Sequence, residues 1–251
     1  MIAEKDFAGR QSPGTRPSQE DAYAFSEVAD GSGKIEGVLV AVADGMGGHS
    51  SGERASALAI KAFDQVFCLT SGVLSDRIAK SLAAAHDAVK NELQRDPALE
   101  GMGTTLTAVG ITRAGVEWIS VGDSPLYLLR GGELERLNED HSLRPILQER
   151  AGAGKPIGQS GSILRAALTG EEEIAMVDQS PQPIPLQDGD LIIVATDGIH
   201  TLHGPEIVAT CADSSGIDAS VLADALLLAV TNADNPKQDN VTIAVIKPPV
   251  G

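Results

Sequence analysis

Residues 37–45 read Gly-Val-Leu-Val-Ala-Val-Ala-Asp-Gly, a short apolar run that ends in an aspartate and a glycine. A run of this length, rich in β-branched residues and bounded by Gly and Asp, predicts a buried strand. The pattern occurs three more times along the chain. One apolar run ends in Gly-Asp-Ser at 122–124, a second ends in Asp-Gly at 197–198, and a third begins directly after Asp239-Asn240. Aspartates therefore stand at four strand ends, which could meet at one edge of the core: Asp44, Asp123, Asp197 and Asp239.

Helical periodicity occurs in two long segments and one weaker segment. Apolar residues recur at helical spacing over 55–67 and 74–93, and less regularly over 217–230. Short β-branched runs predict further strands at 104–112, 116–121, 126–129, 191–195 and 241–246, with a hairpin turn at Gly131-Gly132. Strands and helices fall in separate blocks, which favours α+β layers over a doubly wound sheet. The stretch 145–161, which contains Gly and Pro and little periodicity, is predicted to be a mobile loop.

Composition and charge exclude several classes of protein. The 251 residues favour one large domain, and 42% hydrophobic with 22% charged residues is typical of a globular chain. Lys and Arg total 19 against 35 Asp and Glu, and the net charge of -16 argues against a nucleic-acid or anionic-membrane binder. Cys68 and Cys211 have no metal-ligand spacing, and the first residues form no apolar leader. We therefore expect a cytoplasmic protein in a reduced compartment.

A single Asp-Gly pair is ordinarily a turn, but four aspartates at strand ends favour a metal site. An all-oxygen donor set suits a hard ion such as Mg²⁺ or Mn²⁺, and the carbonyl of Gly45 is unobstructed by a side chain. Arg16 precedes two acids in the segment 14–22. It is interpreted either as half of a surface salt bridge or, beside a dimetal site, as a clamp for two phosphate oxygens. His200 and His203 are interpreted as ordinary loop or surface histidines.

A larger set of short motifs occurs in a fixed order, and together they resemble the type 2C family of metal-dependent Ser/Thr protein phosphatases, in its bacterial branch. The motifs are Arg16 with Gln19-Glu20-Asp21-Ala22, Val42-Ala43-Asp44-Gly45-Met46-Gly47-Gly48-His49, Gly103-Thr104-Thr105, Val121-Gly122-Asp123-Ser124, Asp140-His141-Ser142, Thr196-Asp197-Gly198 and Asp239-Asn240-Val241-Thr242.

The resemblance implies an α+β fold, a four-layer αββα sandwich of two antiparallel sheets flanked by helices. It implies a single catalytic domain over 1–251, with a flap-like loop at about 143–168. It also implies two ions, Mg²⁺ or Mn²⁺, with a weaker third, and it assigns roles to eight residues. Arg16 and Asp44 would be catalytic, and Arg16 would bind the substrate phosphate. The two ions would be held by Asp44, Gly45, Asp197 and Asp239, and the third ion by Asp123. Glu20 and Asp21 would bind water molecules that the ions hold.

The implied activity is hydrolysis of phosphoserine and phosphothreonine in proteins by water that the two ions activate. The expected partners are phosphorylated proteins, the targets of a Ser/Thr kinase, and we expect a monomer with no nucleic-acid or membrane partner. Two alternatives stay open from sequence. One is a catalytically weak phosphoprotein-binding regulatory module on the same fold, and the other is a metal hydrolase of small phosphorylated metabolites.

The chain departs from the family pattern at three positions. Met46 stands where many relatives carry a histidine proposed as general acid, so protonation of the leaving group would fall to metal-bound water or to His49. Thr201 stands where relatives often carry an acid, and Pro125 replaces the usual arginine after Gly-Asp-Ser. The last two bear on the third ion.

Overall fold

The computed structural model describes residues 1–47, 51–151, 159–212 and 214–248. Within these residues the strands are β1 (Phe7–Ser12), β2 (Asp21–Ala29), β3 (Ile35–Met46), β4 (Gly103–Thr104), β5 (Leu106–Thr112), β6 (Gly115–Val121), β7 (Leu126–Arg130), β8 (Glu133–Arg136), β9 (Asp178–Gln179), β10 (Leu191–Ala195) and β11 (Val241–Ile246). The α-helices are α1 (Ser51–Leu69), α2 (Leu74–Arg95), α3 (Arg144–Ala151), α4 (Gly204–Thr210) and α5 (Ala219–Asn232).

The strands form two antiparallel sheets. One has the order β1-β11-β10-β7-β8, and the other has the order β2-β3-β5-β6-β9, with β4 paired to the end of β3. The predicted hairpin at Gly131-Gly132 joins β7 to β8, and both glycines have positive φ, as a two-residue hairpin turn of this kind requires.

Alternate residues of each central strand face different layers. In β3, Val40 and Val42 pack between the two sheets, whereas Leu39 and Ala41 pack against α1 and α2. β11 does the same in the other sheet, with Ala244 between the sheets and its neighbours packed with α5. Burial on both faces accounts for the continuous apolar runs of these strands. The predicted four-layer αββα sandwich is confirmed.

Most of the predicted elements are confirmed, with two corrections. The predicted strand 104–112 is interrupted at Thr105, so that β4 pairs with β3 beyond the end of the main sheet. The prediction of a loop over 145–161 is wrong for its first part, because α3 covers 144–151. Pro145 lies in the first turn of that helix, where its missing N–H breaks no hydrogen bond. Residues 152–158 of that stretch lie outside the described residues.

The two sheets place acidic strand ends at one end of the sandwich. Asp21 at the start of β2 is directly opposite Asp44 near the end of β3. In the other sheet β10 ends two residues before Asp197, and β11 begins two residues after Asp239. The side-chain amide of Gln11 joins the two sheets there, since it donates to the carbonyl of Asp21 and to the hydroxyl of Thr242.

Among the residues that the structure describes, no helix is both long enough and apolar enough to cross a membrane.

Candidate metal centre

A cavity of about 630 Å³ opens at this end of the sandwich. Seven of the eight residues to which the family resemblance assigns a role line this cavity, and the eighth, Asp21, does not. The seven are Arg16, Glu20, Asp44, Gly45, Asp123, Asp197 and Asp239. The convergence predicted from the strand ends therefore occurs.

The backbone of Asp44 is held by two threonines of the Gly103-Thr104-Thr105 motif. Its N–H donates to the hydroxyl of Thr105 (3.0 Å), and its carbonyl accepts from the Thr105 N–H (2.9 Å) and the Thr104 hydroxyl (2.9 Å). The Thr105 hydroxyl also lies 2.8 Å from that of Ser124, beside Asp123. The break between β4 and β5 thus fixes Asp44 relative to the Asp123 turn.

Gly45 lies where no side chain fits. A Cβ at this position would lie 2.1 Å from the carbonyl oxygen of Gly52. The Gly45 N–H donates to the carbonyl of Glu20, which also accepts from the hydroxyl of Ser56. The start of α1, the end of β3 and the segment before β2 are therefore packed together at the rim of the cavity.

Asp44 is at the centre of the carboxylate cluster. Burial raises its pKa well above the ordinary value, and the negative charges of four other aspartates raise it further: Asp21, Asp197, Asp123 and Asp239. Buried carboxylates at this density are stable together only if protons or cations offset their charge.

Asp21 is buried, and its two oxygens have different surroundings. Oδ2 accepts from the hydroxyls of Thr196 (2.8 Å) and Thr242 (2.9 Å), whereas Oδ1 is buried with no hydrogen-bond partner among the described residues. Burial raises the pKa of Asp21 to about 7, against the effect of both hydroxyls. A buried carboxylate oxygen without a partner is an acceptor that a water or a cation would satisfy.

The remaining acids belong to turns that follow or precede strands. Asp197 opens a 3₁₀ turn after β10, and burial together with Asp239 raises its pKa to about 6. Asp123 is 4% exposed, and burial, followed by the charge of Asp197, raises its pKa to about 7. Gly198 permits the close approach of the Asp197 turn to the Asp239-Asn240 segment, because a Cβ there would lie 2.1 Å from the carbonyl oxygen of Asn240.

Arg16 pairs with one of the predicted ligands. Its Nη2 donates to Oδ2 of Asp239 at 2.6 Å, with the two side chains 55% and 42% exposed. The salt bridge interpreted from sequence is therefore present, and it lies in the cavity beside the other carboxylates. An exposed pair of this kind contributes little stability, so that Arg16 is free to exchange Asp239 for another anion.

Asn240 holds the segment that carries Arg16 in place, a role that the sequence did not predict. Its Nδ2 donates to the carbonyls of Pro13 and Ser18 (both 2.9 Å), and its Oδ1 accepts from the N–H of Glu20 (2.7 Å). The Asp239-Asn240 pair was visible as a motif, but these three bonds depend on contacts between distant parts of the chain. His49 lies outside the described residues.

As they stand, no three His, Cys, Asp or Glu side chains of the described residues are arranged to hold a metal ion by themselves. The donor set nevertheless fits hard divalent cations, since it consists of carboxylate oxygens and the open carbonyl of Gly45. The orphaned Oδ1 of Asp21 and the raised pKa values of the cluster are what a site short of positive charge should show. Water and the Gly45 carbonyl would complete the coordination.

Residues 15–214 match the protein phosphatase 2C family. The chain belongs to this family. The resemblance given by the ordered motifs is confirmed.

Named relatives are bacterial. The chain is 32% identical over 213 residues to the serine/threonine protein phosphatase PstP of Mycobacterium tuberculosis. The matched region covers 82% of this chain and 40% of PstP. It is 28% identical over 217 residues to the serine/threonine phosphatase stp of Listeria welshimeri, covering 83% of this chain and 84% of that protein. The chain thus spans less than half the length of PstP.

Solved structures of the family have the same fold. The catalytic domain of PstP in complex with two manganese ions superposes with a TM-score of 0.77 and 28% identity, over 96% of both chains. A phosphatase from Mycobacterium smegmatis in complex with cacodylate has a TM-score of 0.77 and 27% identity, over 99% of this chain and 100% of that one.

The carboxylate cluster predicts how metal-free stability depends on pH. Asp197, Asp21 and Asp123 have folded-state pKa values of about 6 to 7, above the unfolded value of about 4. The folded state therefore binds these protons more tightly, and their contribution to stability is full below about pH 4 and is lost as the pH rises to about 7. Asp44→Asn removes one charge from the cluster, so it should raise the free energy of unfolding at pH 8 by roughly 1 to 3 kcal/mol and flatten the pH dependence.

Urea denaturation in EDTA at pH 5 and pH 8 measures this difference. Asp188→Asn, at an exposed aspartate just before β10, is the matched control and should match the wild type at both values. A loss of stability in Asp44→Asn at pH 8 would contradict the picture of an uncompensated cluster.

Proposed function

We propose that this chain is a metal-dependent phosphoprotein phosphatase that hydrolyses phosphoserine and phosphothreonine. The observation that carries the proposal is the convergence of Asp44, Asp197 and Asp239 with Arg16 in one cavity. Membership of the family and relatives named as Ser/Thr phosphatases support it.

The proposed ion-binding residues are Asp44, the Gly45 carbonyl, Asp197 and Asp239. If these residues hold a pair of divalent ions, the ions would lower the pKa of a bound water, which could then act as the nucleophile, and would offset the charge of the phosphate. Asp44 lies between the acids of both sheets, which suits it to contact both ions. Glu20 and Asp21 would accept hydrogen bonds from water at the site, and Oδ1 of Asp21 has no other partner among the described residues.

Arg16 is the proposed phosphate-binding residue. Its planar guanidinium can donate two parallel hydrogen bonds to phosphate oxygens, and it would leave Oδ2 of Asp239 to do so. Arg16 would then hold the phosphoryl group at the carboxylate cluster and stabilise the negative charge of the transition state.

Mg²⁺ and Mn²⁺ both suit the oxygen donors, and the manganese in the PstP structure favours testing Mn²⁺ first. Asp123 and Asp197 influence each other electrostatically and are proposed to hold a weaker third ion. This third position lacks an acid at Thr201, so it has fewer anionic ligands than the main pair.

We further propose that residues 1–251 form one catalytic domain with a flap at about 143–168, whose residues 162–167 line the cavity. The proposed substrates are phosphorylated targets of a Ser/Thr kinase, and the proposed state is a cytoplasmic monomer without nucleic-acid or membrane partners. The net charge of -16 argues against nucleic-acid and anionic-membrane partners, and the free thiols of Cys68 and Cys211 suit a reducing compartment.

The protein should release phosphate from a phosphothreonine peptide in Mn²⁺, and EDTA should abolish the release. Asp197→Asn should lower turnover more than about a hundred-fold while the protein remains folded, because it removes a charged ligand from the ion pair. The exposed Asp188→Asn serves as the control and should keep wild-type activity. Metal-independent binding of the peptide without turnover would instead support the phosphoprotein-binding module.

Arg16→Ala should raise KM more than it lowers kcat, because the guanidinium contacts the phosphate both in the bound substrate and in the transition state. Loss of charge-assisted hydrogen bonds should cost about 2 to 3 kcal/mol in kcat/KM. Steady-state kinetics on the same peptide measures both constants, and Arg95→Ala, at an arginine 78% exposed on α2, is the control. An unchanged KM in Arg16→Ala would return Arg16 to the role of a surface salt bridge.

A further inference from the structure

The side-chain amide of Gln238 lies between two of the acidic turns. Gln238 is 6% exposed, and its Nε2 donates to the carbonyl of Gly198 at 3.0 Å and to the carbonyl of Asp239 at 3.1 Å. Gly198 directly follows Asp197. One amide nitrogen therefore links the backbone that carries Asp197 to the backbone that carries Asp239.

Thr201 fixes which way this amide points. Its hydroxyl donates to Oε1 of Gln238 at 2.6 Å and accepts from Nδ2 of Asn235 at 3.1 Å. Oδ1 of Asn235 in turn accepts from the N–H of Lys237, so the orientation of that amide is also determined. The carbonyls of Gly198 and Asp239 can only accept, so Nε2 of Gln238 must face them, and the Thr201 hydroxyl, which already accepts from Asn235, donates its one hydrogen to Oε1 on the other side. An inverted amide would direct its oxygen at two carbonyl oxygens.

The same short segment carries the loop that presents Arg16. The carbonyl of Gln238 accepts from the N–H (2.9 Å) and the hydroxyl (3.0 Å) of Thr15. Gly14 packs closely against the same segment, because a Cβ at Gly14 would lie 2.4 Å from the carbonyl oxygen of Asp239. A shift of Gln238 would therefore move the Arg16 loop together with the two acidic turns.

We propose that Gln238 is a positioning residue that sets the separation of Asp197 and Asp239, and that the Thr201 hydroxyl holds its amide in the orientation that does so. The inference rests on the proposed function, because the two aspartates need a defined separation only if they hold ions. This role of Thr201 and Gln238 needs no acid at position 201, where relatives in the family often carry one.

The geometry also predicts what an acid at position 201 would do. A carboxylate there would accept from Asn235 but would face Oε1 of Gln238, which is also an acceptor. Inversion of the Gln238 amide would relieve that repulsion in the metal-free protein, and its bonds to Gly198 and Asp239 would then be lost. Thr201→Asp should therefore weaken binding of the main ion pair, although it adds a negative charge near the cavity.

Calorimetric titration with Mn²⁺ in the absence of substrate tests the proposal, together with thermal unfolding of the metal-free protein. Thr201→Val keeps the shape of the side chain and removes the hydroxyl, and it should weaken Mn²⁺ binding about ten-fold, as loss of a residue that orients metal ligands typically does. Thr201→Ser restores the hydroxyl and should bind Mn²⁺ as the wild type does. Thr231→Val is the matched control, since the Thr231 hydroxyl donates to the carbonyl of Leu227 within α5 and has no other partner among the described residues.

Gln238→Leu should weaken Mn²⁺ binding at least as much as Thr201→Val, and if it does not fold, the two Thr201 variants decide. A purely structural role predicts a lower melting temperature with unchanged Mn²⁺ affinity well below it, and that result would overturn the proposal. Equal losses in Thr201→Ser and Thr201→Val would also overturn it. If the wild type binds Mn²⁺ and Thr201→Val binds it equally, only the positioning role fails, whereas a wild type that binds no Mn²⁺ contradicts the proposed function.

Discussion

Electrostatic repulsion among buried carboxylates is the constraint on which the rest of this structure depends. Asp21 and Asp44 are directly opposite each other on neighbouring strands, where like charges destabilise a sheet. Three further aspartates act on Asp44 from the other turns. A flexible framework would relieve this repulsion by moving the acids apart, so the surrounding backbone must be held by other interactions.

Neutral hydrogen-bonding side chains supply much of that restraint. Thr104 and Thr105 hold the backbone of Asp44, while Thr196 and Thr242 hold one oxygen of Asp21. Asn240 binds both ends of the Arg16 segment. None of these groups adds charge, so they fix the acids without neutralising them and leave the charge to be offset by protons or by bound cations. Stability comes instead from three clusters of buried hydrophobic residues, one between the two sheets and one on the outer face of each sheet.

The sequence was informative where a local pattern reported a local structure. Strand runs that stop at Asp-Gly located the acids, and the apolar stripe of α2 located a helix within one or two residues. It was less informative where polar strands occur, since β1 has only one fully buried residue, Ala8, and no continuous apolar run. Helix α3 was missed because the stretch 145–161 contains Gly and Pro and has little apolar periodicity, although proline is well tolerated in the first turn of a helix. The side chain of Asn240 joins segments more than 200 residues apart, as it does with Pro13, and the side chain of Gln238 reaches Gly198, 40 residues away. A single sequence contains no signal for these links.

The proposal on which the others depend is that Asp44 would contact both ions of a pair bound at the end of the sandwich. Anomalous diffraction near the manganese absorption edge, from crystals grown with Mn²⁺, tests it most directly. We expect two strong peaks inside the cavity, both in contact with Asp44 and flanked by Asp197 and Asp239. We also expect Arg16 to have moved away from Asp239. Peaks outside the cavity, or a single peak that Asp44 does not contact, would contradict it.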